Sequence, residues 1–159
     1  MVNVAGRTED DYVKVAEALA HHDILGLELN LSCPNVKEGG ITFGTDANNV
    51  YRLVSRVREV CPLPLVVKLT PNITDITEPA LAAEAGGASA LTLINTLRGM
   101  AIDIRTRRPL LGNVTGGLSG PAIKPVALCL VWQAVKAVSI PIIGCGGIAD
   151  RRTIPGILQ

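Results

Sequence analysis

In Leu65-Val66-Val67-Lys68-Leu69-Thr70-Pro71-Asn72 a short apolar run gives way to a lysine, a hydroxyl, a proline and an amide. Bounded in front by Cys61-Pro62-Leu63-Pro64, it reads as a buried strand whose carboxyl end carries polar groups. The same pattern recurs on both sides. Upstream, residues 2–5 and 26–31 read as strands, the first ending near Asn3 and Gly6, the second in Asn30-Leu31-Ser32-Cys33-Pro34-Asn35. Downstream, residues 90–94 lead into Asn95-Thr96, and residues 141–144 into Gly144-Cys145-Gly146-Gly147.

Amphipathic stretches separate these strands. Residues 9–22 place Val13, Ala16, Leu19 and Ala20 on one side of a helix, with Thr8 as its cap and Asp11 completing an approximate capping box. Residues 46–60 form a second helix, stopped by the prolines after Cys61, and residues 74–85 a third, ended by Gly86-Gly87. Pro121 opens a fourth that runs to residue 138. Residues 33–44 read as a Gly-rich loop. Residues 97–120 show no steady period and are expected to cross a surface, as long functional loops do.

Five strands alternating with helices predict an α/β fold with a parallel sheet and helices outside it, in one domain over residues 1–159. Two architectures remain, an open doubly wound sheet and part of a (β/α)8 TIM barrel. Placement of the polar residues favours the barrel, where the carboxyl ends of the strands open on the face that holds active sites.

Composition narrows the function classes. Of 159 residues, 48% are hydrophobic and 18% charged, and the formal net charge is +1. A nucleic-acid binder would concentrate positive charge; the one basic cluster, Arg105, Arg107 and Arg108, reads as a solvated loop. No apolar run approaches the roughly 20 residues that span a bilayer, and the start has no signal-peptide pattern. A cytoplasmic protein without membrane contact is expected. The cysteines, Cys33, Cys61, Cys129 and Cys145, lack metal-site spacing, so no metal and no disulfide framework is expected. Cys61, Cys129 and Cys145 read as small core residues.

Cys33 projects from a proline-stiffened turn at a strand end. A nucleophilic thiol usually needs a histidine partner, and His21 and His22 stand at the far end of a helix. A thiol acting as general base stays open. Lys68, inside an apolar strand, admits three readings: a Schiff-base lysine, a fixed cation beside an electron-rich ring or phosphate, or a side chain that snorkels to water. Gly144, Gly146 and Gly147 would let a phosphate approach backbone N–H groups.

Taken together, five strings resemble the dihydroorotate dehydrogenase family: residues 28–35 (Glu28 to Asn35), 67–72 (Val67 to Asn72), Ile94-Asn95-Thr96, Thr115-Gly116-Gly117-Leu118-Ser119-Gly120-Pro121 and Ile143-Gly144-Cys145-Gly146-Gly147. The likeness runs over residues 2–148 and is nearest to the NAD-linked two-subunit branch; Cys33 stands where the membrane-associated branch has a serine. The resemblance implies a TIM barrel that holds FMN and oxidises dihydroorotate to orotate in pyrimidine biosynthesis. It implies Cys33 as the base taking the C5 proton while the C6 hydride passes to flavin N5. Substrate contacts would be Asn30, Asn35, Asn95 and Thr96. FMN contacts would be Asn3, Asn30, Lys68, Ile94, Gly120, Gly146 and Gly147, which makes Lys68 a fixed cation near the flavin N1–C2 edge. A partner subunit carrying FAD and an iron–sulfur cluster is implied as well. The related alternative is the pyrimidine-reducing domain of dihydropyrimidine dehydrogenase, which shares Asn30-Leu31-Ser32-Cys33-Pro34; Ile94-Asn95-Thr96-Leu97-Arg98-Gly99-Met100 favours the dihydroorotate enzyme.

A whole barrel takes about 250 residues and eight strands. Five βα units are legible, read as the third to the seventh, so truncation at both ends is expected, with divergence after Ile148. Open sheet edges then favour self-association into a homo-oligomer. Weak or no FMN binding by the chain alone is expected, and a non-catalytic remnant is the reading from outside the enzymes.

Overall fold

The computed structural model of the chain describes residues 1–31 and 40–149, without the side chains of 40–42. In chain order the elements are β1 (Val2–Val4), α1 (Glu9–Leu19), β2 (Leu27–Asn30), α2 (Gly40–Thr45), α3 (Ala47–Val60), β3 (Leu65–Lys68), α4 (Thr77–Ala85) and β4 (Ala90–Leu93). There follow β5 (Leu97–Met100), β6 (Ile102–Asp103), β7 (Arg108–Pro109), β8 (Thr115–Leu118), a 3-10 turn (Pro121–Ile123), α5 (Lys124–Ala137) and β9 (Ile142–Gly144).

Period-two alternation along the strands gives the main sheet two unlike faces. On one, Val4, Leu29, Val67, Leu91 and Ile142 lie in register across five strands. They share a core with Tyr12 and Ala16 of α1, Leu53 and Val57 of α3, Ala80 and Ala83 of α4, and Ala127, Val131 and Ala134 of α5. Leu29, fully buried, contributes about 1.5–3 kcal/mol by leaving water; cutting it to alanine would cost about 2–5 kcal/mol. The other face carries two rows: Asn3-Glu28-Val66-Ala90 and Asn30-Lys68-Thr92-Ile143. Every functional side chain supplied from within the main sheet stands in these rows.

All pairings in the main sheet are parallel and the strand order is β1-β2-β3-β4-β9. Neighbouring helices follow the same sequence, α1 against α3, α3 against α4 and α4 against α5. A doubly wound sheet reverses its strand order at a switch point; the described strands do not. The fold is α/β with a five-stranded parallel sheet.

Local chemistry sets the boundaries. The Thr8 hydroxyl accepts from the Asp11 N–H at 3.2 Å while the Asp11 carboxylate accepts from the Thr8 N–H at 2.9 Å, so the capping box is complete. Asp46 caps α3 by accepting from the Asn49 N–H at 3.0 Å, worth about 1 kcal/mol. Helix α4 begins at Thr77 rather than Thr74, because the Asp75 carboxylate holds the Thr77 N–H and hydroxyl in a turn. Helix α1 stops at Leu19, short of His22. Two expectations need correction. A short helix, α2, stands inside the stretch read as loop. Cys129 is exposed, since it lies two residues, or about 200°, from the buried Ala127 on α5. The excursion at 97–120 is built from two antiparallel pairs, β5 with β8 and β6 with β7. Among the described residues no helix is long and apolar enough to cross a membrane.

Candidate functional site

The strand ends gather the polar groups at the carboxyl edge of the sheet. Asn30 closes β2 directly opposite Lys68, which closes β3. The Tyr12 hydroxyl, from the buried face of α1, donates to the Asn30 carbonyl at 2.7 Å and fixes that strand end. Beyond β4 the Asn95 amide donates to Asn30 Oδ1 at 3.1 Å, so two of the expected substrate contacts meet directly. Asn95 Oδ1 accepts from the Thr96 N–H at 2.8 Å, and the Asn95 N–H donates to the Leu69 carbonyl at 3.1 Å. The result is an amide pair clamped by backbone, able to offer both donors and acceptors to a planar polar ring.

Asn3 belongs to the same face but not to the same cluster: its amide donates to Glu28 Oε1 at 2.6 Å on the row below. Glu28 Oε2 accepts from the Thr92 hydroxyl at 2.9 Å. The Lys68 ammonium stands 3.9 Å from Glu28 Oε1 and makes no hydrogen bond among the described residues. The unpaired-lysine problem posed by the sequence is therefore answered by a carboxylate on the adjacent strand, with the ammonium's donors still available to a guest.

Ile94, buried, presents its backbone carbonyl to the Cys145 thiol, which donates at 3.0 Å. Burial pushes the Cys145 thiol up and the nearby Glu28 adds to the rise, while Lys68 opposes it. Cys145 is thus held as a protonated, half-buried thiol.

The glycines converge from two loops on the start of α5. Gly120 adopts φ 96°, ψ −177°, a region essentially restricted to glycine, just before the 3-10 turn. Gly146 and Gly147 have φ 115° and 74°. A Cβ on Gly147 would stand 2.7 Å from the Lys124 backbone nitrogen, so this loop lies directly against the helix entrance. The N–H groups of Gly146 and Gly147 donate to no acceptor among the described residues. Such N–H groups beside a helix N-terminus suit a phosphate. With the Lys68 cation and the amide pair, the donor set fits a flavin mononucleotide.

Cys33 and Asn35, expected as base and substrate contact, lie outside the described residues. Three residues that sequence reasoning did not single out belong to the site. Glu28, in the lower row, is held by Asn3 beside it and by Thr92 from the upper row; local sequence carries no signal for contacts between residues so far apart in the chain. Asn72 staples the β3 exit to β5, donating to the Thr96 carbonyl at 3.1 Å and accepting from the Arg98 N–H at 2.8 Å.

Comparison with known proteins gives the family. The family profile described as Dihydroorotate dehydrogenase matches residues 1–152. A protein of Alkaliphilus oremlandii named dihydroorotate dehydrogenase B (NAD(+)), catalytic subunit, is 62% identical over 149 residues, covering 94% of this chain and 49% of that protein. Proteins of the same name from Geotalea uraniireducens and Bacteroides fragilis are 58% and 56% identical, covering 93% and 94% of this chain and 49% and 50% of their own lengths. The chain spans about half the length of the curated relatives it matches.

Proposed function

The chain belongs to the dihydroorotate dehydrogenase family, and on that premise we propose that it is the central part of an FMN-dependent enzyme that oxidises dihydroorotate to orotate in pyrimidine biosynthesis. The observation that carries the reading is the meeting of Asn30 with Asn95 beside Lys68, on the polar face of a parallel sheet. In the complete protein the five strands, in chain order, continue as part of a (β/α)8 barrel whose catalytic face is the carboxyl edge.

Asn3, Asn30, Lys68, Ile94, Gly120, Gly146 and Gly147 hold FMN, with Lys68 as the cation and the Gly146–Gly147 N–H groups toward the phosphate. Bound FMN supplies the hydride acceptor. Asn30, Asn35, Asn95 and Thr96 orient the pyrimidine edge, since each amide can both donate and accept. Cys33 removes the proton next to the ring carbonyl: a thiol can be tuned toward neutral pH, as a base for that step requires. Cys145, its thiol pushed up by burial, is unsuited to that role. Relatives are named for NAD(+) and for a catalytic subunit; on that ground electrons leave this enzyme through a partner subunit, one carrying FAD and an iron–sulfur cluster. The complete enzyme is a cytoplasmic homo-oligomer with no nucleic-acid or membrane partner.

The test is to purify the full-length protein and offer it dihydroorotate. Yellow protein that forms orotate supports the reading. Colourless protein overturns it, and flavoprotein that acts on dihydrouracil but not dihydroorotate moves it to the dihydropyrimidine branch.

A further inference from the structure

We propose that Glu28 is a positioning residue for Lys68, a fixed counter-charge that limits how much of the ammonium's field reaches a ring bound on the polar face. The inference rests on the flavin reading above and adds a residue that reading does not use.

Glu28 sits in the middle of β2, with its side chain 13% exposed, a place where an unpaired carboxylate would be costly. Both oxygens are held by neutral donors on the flanking strands and beyond: Asn3 on β1 holds Oε1 and Thr92 on β4 holds Oε2. Three strands thus fix one carboxylate. Lys68, 24% exposed, comes to 3.9 Å of Oε1, which is within ion-pair reach but longer than a hydrogen bond. The ammonium is therefore restrained by charge while its N–H groups stay free for a ligand among the described residues.

The two hydrogen bonds do not account for the charge. A glutamine would make both, accepting from Asn3 and donating to the Thr92 hydroxyl, which can accept. What glutamine would lack is the negative charge, and the cation facing that charge is Lys68. An isolated ammonium beside a flavin favours its anionic reduced form; a carboxylate behind the ammonium turns the pair toward a dipole, whose field falls off faster. Glu28 accordingly sets the balance between affinity for oxidised and for reduced FMN.

The test is the two-electron potential of FMN in the full-length holoenzyme, measured by equilibration with a reference dye. Glu28→Gln is expected to raise the preference for reduced over oxidised FMN about tenfold, a shift of about 30 mV to the positive for a two-electron couple. Glu28→Asp keeps the charge but draws it back by one methylene, and is expected to shift the potential the same way by less; it carries the test alone where the glutamine variant fails to hold FMN. A structural role would alter melting temperature and FMN retention without moving the potential. Wild-type potentials in FMN-loaded variants overturn the proposal, as does an aspartate shift as large as the glutamine one. A wild-type full-length protein that never takes up FMN overturns the flavin reading instead, and this inference with it.

Discussion

Gly147→Ala tests whether the loop after β9 is held against α5 as tightly as its geometry indicates. At φ 74° an alanine enters the left-handed region, at about 1–2 kcal/mol. Its Cβ would also stand 2.7 Å from the Lys124 nitrogen and 2.8 Å from Lys124 Cα, where carbon contacts relax only near about 3.5–4 Å. Both atoms are backbone at the first turn of α5, so the helix or the loop must shift, and overpacking of this kind costs about 1–3 kcal/mol. The combined penalty of about 2–5 kcal/mol is a large part of the 5–15 kcal/mol that stabilises a typical domain. Gly112→Ala is the control: nothing lies within 4 Å of the added Cβ, and its backbone stands outside the positive-φ region. Urea denaturation of both variants in the full-length protein reads the combined penalty, and FMN titration by fluorescence quenching reads the site. Gly147→Ala should unfold at distinctly lower urea and lose more FMN affinity. Equal midpoints for the two variants would refute the close approach of loop and helix.

Other perturbations address separate parts of the account. Cys33→Ala should remove most dihydroorotate turnover, followed by orotate absorbance, while FMN stays bound; Cys33→Ser should be slower at neutral pH because a hydroxyl is a much weaker acid. Lys68→Ala should weaken FMN retention and lower the flavin potential, and covalent capture at Lys68 by borohydride with a carbonyl substrate would revive the Schiff-base reading. Glu9 tests the helix layer. Its pKa is lowered chiefly by the hydrogen bond from Arg52, with Arg56 assisting and partial burial opposing. A carboxylate depressed on folding stabilises above its unfolded value, and the contribution is lost as pH falls through the folded one. Glu9→Gln should therefore cost about 1 kcal/mol at pH 7, and the gap to wild type should close in acid melts. A gap that stays constant with pH would show that the ion pairs do not stabilise the fold. Cys145 should react with thiol reagents more slowly than the exposed Cys129.

The alternation of strand and helix was legible because each main-sheet strand is a short run built on apolar residues and set between Pro, Gly or cap residues, with Val or Ile in β1, β3 and β9. The 97–120 excursion was not legible as antiparallel pairs: Gly116 and Gly117 erase the alternation of β8. They are glycine for a reason visible only in three dimensions, since a Cβ on Gly117 would collide with the Thr96 side chain. Helix α2 was hidden by Gly40 and Gly44, which disfavour a helix on propensity alone. Gly44 packs against the Leu31 carbonyl, where a Cβ would come within 2.7 Å, so contact rather than propensity selects it. In the site, residues at strand ends could be found from local sequence. Glu28 could not, because its partners Asn3 and Thr92 are 25 and 64 residues away and only the parallel register brings them together.

The most direct test of the central claim is anaerobic addition of dihydroorotate to the full-length, FMN-loaded protein while the visible flavin band is recorded. Bleaching of that band with stoichiometric formation of orotate, lost in Cys33→Ala, is the result expected from a cysteine-assisted oxidation at this site. A flavin band that stays unchanged under dihydroorotate, in protein that retains its FMN, would contradict it.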